Sequence, residues 1–171
     1  ISDRALAKNW RPDLSKVVKS NKKVAIVGAG PAGLGCAELL ARNGISSVVF
    51  DKHPEIGGLL TFGIPGFKLE KDVIRKRKAF LQDLGIEFQL NTEIGKQVKI
   101  EQLQTDYDAI FLGMGCYTSV TGDLDGSDLN GVIKAIDFLI GNINFQQSYN
   151  MQDYPYQNLQ GKKFSQGRIY K

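Results

Sequence analysis

The sequence predicts an α/β fold, a parallel sheet with flanking helices, and three observations in its first third predict it. An apolar run, Val24-Ala25-Ile26-Val27, opens into the glycine-rich turn Gly28-Ala29-Gly30-Pro31-Ala32-Gly33. A helix-compatible segment follows from Gly33 to Asn43, with Leu34, Ala37 and Ala41 on one face at helical spacing. A second apolar run, Ser47-Val48-Val49-Phe50, then ends on the acid Asp51. Together these spell a β-α-β unit of the Rossmann-like kind.

Each part of that unit has a physical task in gripping the pyrophosphate of a dinucleotide. Gly28 permits the tight turn out of the strand, Gly30 lets the backbone approach the phosphates, and Gly33 lets the helix pack on the sheet. The opening turn of the helix aims unpaired N–H groups and the positive end of its dipole at the anion. Asp51 stands where a carboxylate can accept hydrogen bonds from both ribose hydroxyls of an adenosine. A 2′-phosphate there would meet a like charge, so the site suits FAD or NAD better than NADP.

Composition narrows the class. The 171 residues fit one domain with a sizeable core, 42% apolar and 23% charged. The net charge of +4 is mild and is not arranged as a basic stripe interleaved with aromatics, which argues against nucleic acid. Two cysteines, Cys36 and Cys116, exclude a disulfide scaffold or a four-cysteine metal site, and both read as small buried hydrophobes. A run of about eighteen apolar residues and a secretion leader are both lacking, so the expectation is a cytoplasmic protein without a membrane span.

Taken in order, residues 1–21 are polar, and Pro12 can open a short helix there. Asn43-Gly44 ends the first long helix. The stretch from Lys52 to Lys68 is too rich in glycine and proline for a long helix or interior strand, so it reads as a loop running close to something crowded. His53, the one histidine, reads as surface or ribose-edge packing rather than as an acid–base catalyst. From Leu69 to Leu84 the pattern is helical, with Arg75-Lys76-Arg77-Lys78 on a solvated face.

Ile86 to Leu90 alternates as a strand, Lys96 to Lys99 offers a short continuation, and Ile100 to Thr105 reads as one or two helical turns. Tyr107 to Leu112 reads as a further buried strand ending in Gly113-Met114-Gly115, where ligands sit in open α/β sheets. Thr118 to Asn130 is loop-like, with a turn at Gly122-Asp123. Val132 to Phe145 is expected to be helical with Val132, Ile136, Leu139, Ile140 and Ile143 along one side, and the remainder reads as linker.

Four blocks carry a family resemblance: Gly30-Pro31-Ala32-Gly33-Leu34, the loop from Phe50 to Pro65, Phe67-Lys68-Leu69, and Tyr107-Asp108-Ala109-Ile110-Phe111-Leu112-Gly113. Together they resemble the small subunit of NADPH-dependent glutamate synthase and its relatives, including the flavin arm of dihydropyrimidine dehydrogenase. The resemblance implies FAD. It places the turn Ala29-Gly30-Pro31-Ala32-Gly33 on the pyrophosphate and Asp51 on the adenosine ribose. Lys52 and the Gly57-Gly58-Leu59 stretch would lie along the dinucleotide toward the flavin. Lys68 would supply a cation near the phosphates, and Val98 would read the adenine with its backbone. Gly113 and Gly115 would form a second flavin contact, with Met114 between them where related flavoproteins often carry threonine. No side chain is implied as acid, base, nucleophile or metal ligand.

In complete family enzymes, the resemblance implies, a second domain binds NADPH, a hydride passes to the flavin, and electrons leave through iron–sulfur clusters toward a large-subunit partner that makes glutamate. The cluster cysteines would precede Trp10-Arg11-Pro12-Asp13. The NADPH domain would begin near Gly161-Lys162-Lys163, where Phe164-Ser165-Gln166-Gly167-Arg168 departs from the expected strand and glycine turn. The expectation is a shortened FAD-binding portion, inactive alone: an N-terminal segment at 1–21, a Rossmann-like domain at 22–146 and a linker at 147–171. The alternative is a non-catalytic nucleotide-binding or interaction remnant of the same fold.

Overall fold

The computed structural model describes residues 2–118, 120, 125–149 and 153–162. The turn expected at Gly122-Asp123 and the pattern break at residues 164–168 lie outside them. Four strands, β1 (Lys23–Val27), β2 (Ser46–Phe50), β3 (Glu87–Gln89) and β4 (Ala109–Leu112), form one parallel sheet in the order β3-β2-β1-β4. The helices are α1 (Ser2–Ala7), α2 (Pro31–Arg42), α3 (Leu59–Phe62), α4 (Lys71–Asp83), α5 (Ile100–Asp106) and α6 (Ala135–Gln147).

The alternation of side chains along a strand explains why the central strands read as unbroken apolar runs. Ile26 of β1 and Val49 of β2 face a core shared with Leu34 and Ala37 of α2 and Ile74, Phe80 and Leu81 of α4. Their neighbours Ala25, Val27, Val48 and Phe50 face the opposite side, against Leu103 of α5. Both faces are covered, as a parallel sheet requires. A third cluster joins Phe62 of α3 to Ile140 and Ile143 of α6. No helix among the described residues is long and apolar enough to cross a membrane.

Several expectations need correcting. The strand at Tyr107 to Leu112 is shorter than expected and half exposed, with Leu112 at 59%. It lies at the end of the strand order, so it has one strand neighbour where β1 has two. Cys116, just beyond it, is exposed rather than buried, while Cys36 is half-buried against the α2 core. Pro12 opens no helix: the N-terminal helix is α1, and the segment after it turns back onto the domain. Arg11 pairs with Asp83 at 2.5 Å, and the Ser20 N–H donates to the Gly44 carbonyl at 2.8 Å. Residues 96–99 contribute one parallel bridge, Ile94 to Val98, instead of a continuing strand. The last helix starts at Ala135, leaving Val132 exposed.

The basic run on α4 is only partly a solvated face. Arg77 pairs with Glu38 of α2, and Lys78 reaches Glu55 of the loop after β2 at 2.8 Å. These pairs tie α4 to its neighbours. Lys71, at the start of α4, is buried, and its ammonium donates to the carbonyls of Leu60 at 2.9 Å and Ile64 at 2.5 Å. It closes the end of α3, and burial lowers its pKa from the ordinary lysine value. Lys71→Met should cost about 1–2 kcal/mol of stability, the scale for leaving two carbonyls unpaired. Urea denaturation measures it, and an unchanged midpoint would exclude the role.

Candidate functional site

The parallel sheet turns all four strand carboxyl ends to one side, and a cleft of about 350 Å³ opens there. It is lined by Gly28 after β1, by Asp51, Lys52 and His53 after β2, by Thr92, Glu93 and Ile94 after β3, and by Met114, Gly115 and Tyr117 after β4. The strand order reverses between β1 and β4, the switch point at which open α/β sheets bind ligands.

Three glycines make the switch point possible. Gly28 has φ +108°, and a Cβ there would lie 2.4 Å from the Gly113 carbonyl oxygen. A Cβ on Gly33 would lie 1.9 Å from the Gly28 carbonyl oxygen, so α2 sits as close to the turn as backbone atoms allow. Gly30 is the N-cap of α2, Pro31 opens the helix, and the first turn has neither a side-chain cap nor an acid. The positive end of that dipole therefore has no carboxylate of its own to neutralise it.

Asp51 is buried and points at the turn. Its Oδ2 accepts from the Ala29 N–H at 2.6 Å, and its Oδ1 accepts from the His53 N–H at 2.8 Å and contacts His53 Nδ1 at 3.0 Å. Main-chain bonds fix it further, with its N–H on the Gln89 carbonyl at 3.1 Å and its carbonyl taking the Thr92 N–H at 2.8 Å. Burial works to raise its pKa, yet the hydrogen bonds from the His53 ring, the His53 N–H and the Ala29 N–H outweigh it and hold the carboxyl below its ordinary value. A carboxylate has about four acceptor positions. Three are taken by these contacts within the chain.

The residues expected to touch a ligand divide accordingly. Gly28, Asp51, Lys52, Met114 and Gly115 meet in the cleft. Gly57 and Gly58 pack against the turn: the Gly57 N–H donates to the Ala29 carbonyl at 2.7 Å, and a Cβ on Gly58 would reach 3.0 Å from Gly30 Cα. This is the crowding that the glycines of the loop anticipate. Pro31 and Ala32 lie exposed at the head of α2, and Leu59 is partly exposed at the head of α3.

The N–H and carbonyl of Ala29, expected in the phosphate collar, are committed to Asp51 and Gly57. Lys68 sits exposed in a turn and does not line the cleft. Val98 is packed under the sheet, its carbonyl taken by the Gly95 N–H at 2.7 Å, and the cleft edge on that side is formed by Thr92 to Ile94 instead.

Two residues matter more than the sequence suggested. His53 is not at the surface: it is 2% exposed, with its ring 4.8 Å from that of Phe62 and 5.6 Å from that of Tyr117. Tyr117 also lies under Lys52, whose ammonium is 5.0 Å from the ring centroid. Burial pushes the Tyr117 hydroxyl up to about 12, with the Asp51 charge adding to the effect. The rule that ligands sit at strand carboxyl ends could have selected Tyr117 and the 92–94 edge. Nothing local in the sequence marks His53 as buried.

A Rossmann-like sheet with a cleft at its switch point defines the class of dinucleotide-binding folds. Residues 26–71 match the family model described as an NAD(P)-binding Rossmann-like domain. The fold is shared with FprA, a Mycobacterium tuberculosis oxidoreductase, at a TM-score of 0.64 and 24% identity over 71% of this chain and 28% of that one. Over 95% of its length the chain is 55% identical to the glutamate synthase [NADPH] small chain of Halomonas elongata and 52% identical to that of Escherichia coli K12. Over nearly its whole length the chain is thus similar to the glutamate synthase small chains. It spans about a third of the length of these curated relatives, 34% and 35% respectively.

Proposed function

We propose that the chain is the FAD-binding portion of an NADPH-linked oxidoreductase of the glutamate synthase small-chain kind. The observation that carries the reading is the pairing of a buried, ionised Asp51 with an acid-free helix N-terminus across one glycine turn. One end suits a ribose hydroxyl and the other a pyrophosphate, which together fit the ADP half of the cofactor. When bound, the flavin would supply the redox chemistry, accepting a hydride from NADPH and passing electrons toward an iron–sulfur or large-subunit partner.

The residues of this chain would bind and orient. Gly30 admits the phosphates, Gly28 lets the turn pack against Gly113, Asp51 takes the ribose, and Lys52, Met114 and Gly115 border the cleft on either side of it. Gly57 and Gly58 support the turn from behind. The reading assigns no covalent step to the protein.

The test is to compare ADP with its 2′-phosphorylated analogue by calorimetry and to identify any copurifying molecule by absorbance and mass spectrometry. ADP should bind at least about tenfold tighter, because a 2′-phosphate would face the Asp51 charge in a partly buried site. A colourless protein that takes up neither FAD nor ADP would favour a non-catalytic remnant of the fold. Preference for the 2′-phosphate would overturn the assignment of Asp51.

A further inference from the structure

We propose that His53 is the positioning residue for Asp51: its ring and its N–H together anchor Oδ1, so that Oδ2 alone bridges the glycine turn and the ligand. The proposal rests on the functional reading only for what that ligand is.

The observation behind it is an unbalanced one. His53 lies almost wholly inside the protein, between the rings of Phe62 and Tyr117, and its Nε2 is buried without a hydrogen-bond partner among the described residues. For packing alone a leucine or phenylalanine would fill that slot and leave no polar atom orphaned, so an imidazole there needs another reason. The other edge of the ring supplies one. Nδ1 lies 3.0 Å from Asp51 Oδ1, and an ionised carboxylate can only accept, so Nδ1 must carry the proton. The same Oδ1 takes the His53 N–H at 2.8 Å, so one residue clamps one oxygen with two donors.

The charged and titratable groups around Asp51 are few. Tyr117 approaches from the segment after β4, Glu93 from the segment after β3, and Lys52 is its chain neighbour, held over the Tyr117 ring. Tyr117 stays neutral throughout the ordinary range, and Glu93 is kept ionised by Lys96 at 2.9 Å. The turn after β1 contributes an amide and no charge. Without the ring of His53, burial would act on Asp51 with only the two main-chain donors against it.

Carboxyl-carbon NMR titration of Asp51 in the 171-residue chain tests this directly, in the wild type, His53→Leu, His53→Phe and His53→Asn. Leucine and phenylalanine keep the apolar contacts and remove the donor, and each should raise the Asp51 midpoint by about one pH unit. Asparagine restores a side-chain N–H and should recover at least half of the shift. In parallel, ADP affinity should fall roughly tenfold at pH 7 in the leucine and phenylalanine variants and weaken further toward pH 5, while the wild type stays flat. An unmoved Asp51 midpoint in folded leucine or phenylalanine variants overturns the positioning role, as does an asparagine variant no different from them. If the midpoint moves but the wild type binds no ADP, the positioning role stands and the ligand assignment fails.

Discussion

Gly33→Ala is expected to destabilise the protein by about 3 kcal/mol, the upper end for forcing extra volume into a packed interior. The added methyl would lie 1.9 Å from the Gly28 carbonyl oxygen and 3.1 Å from Cγ2 of Ile26. The first of these is backbone and cannot swing aside, so α2 must shift away from the sheet and carry the glycine turn with it. Gly35 provides the control. It lies on the same helix with no atom within 4 Å of the position a Cβ would take. Gly35→Ala should therefore gain about 0.5–1 kcal/mol from helix propensity alone. Opposite signs in urea denaturation, two residues apart, would locate the cost at the helix–turn contact. A stability loss below about 1 kcal/mol for Gly33→Ala would show that the contact is looser than the distances require.

Asp51→Ala should lower stability by about 3 kcal/mol, because it strands a buried Ala29 N–H together with both donors of His53. Separately, it should weaken binding of the proposed ADP ligand by about 1–3 kcal/mol, the scale for a lost charged hydrogen bond. The carboxyl is held below its ordinary value in the folded protein. Such a group contributes stability at every pH above its unfolded value near about 3.9, and that contribution is lost as the pH falls through the lower folded value. Wild-type stability should thus drop below about pH 4 by an amount that Asp51→Ala does not share, and the two curves should converge in acid. Denaturant midpoints between about pH 2.5 and 7 read this out. Curves that stay parallel would show that the three hydrogen bonds do not favour the ionised form.

Much of the fold was legible because its signals are local. The turn from Gly28 to Gly33 and the acid at Asp51 announce a β-α-β unit, since the backbone demands of that unit fall on consecutive residues. The helical period after Leu69 identified α4 for the same reason. Long-range partners were not legible. Cys116 and Leu112 read as buried because their neighbours are apolar, yet their exposure depends on β4 having no strand on its outer side. Lys78 read as solvent-facing, and only the approach of the 55–64 segment turned it, like Lys71, inward.

The sequence by itself determined the chemistry available: a glycine turn that can admit phosphates and a carboxylate 18 residues beyond the last of its glycines, both dictated by covalent order and by the steric freedom of glycine. Tertiary structure decided how that chemistry is shared out. It committed the Ala29 amide to Asp51, buried His53 behind the carboxylate, kept Val98 and Lys68 away from the cleft, and brought Tyr117 in from the segment after β4, more than sixty residues downstream of His53. These outcomes depend on which segments meet across the sheet, and a hydrogen-bond partner or a burying ring is fixed only when distant parts of the chain are packed together.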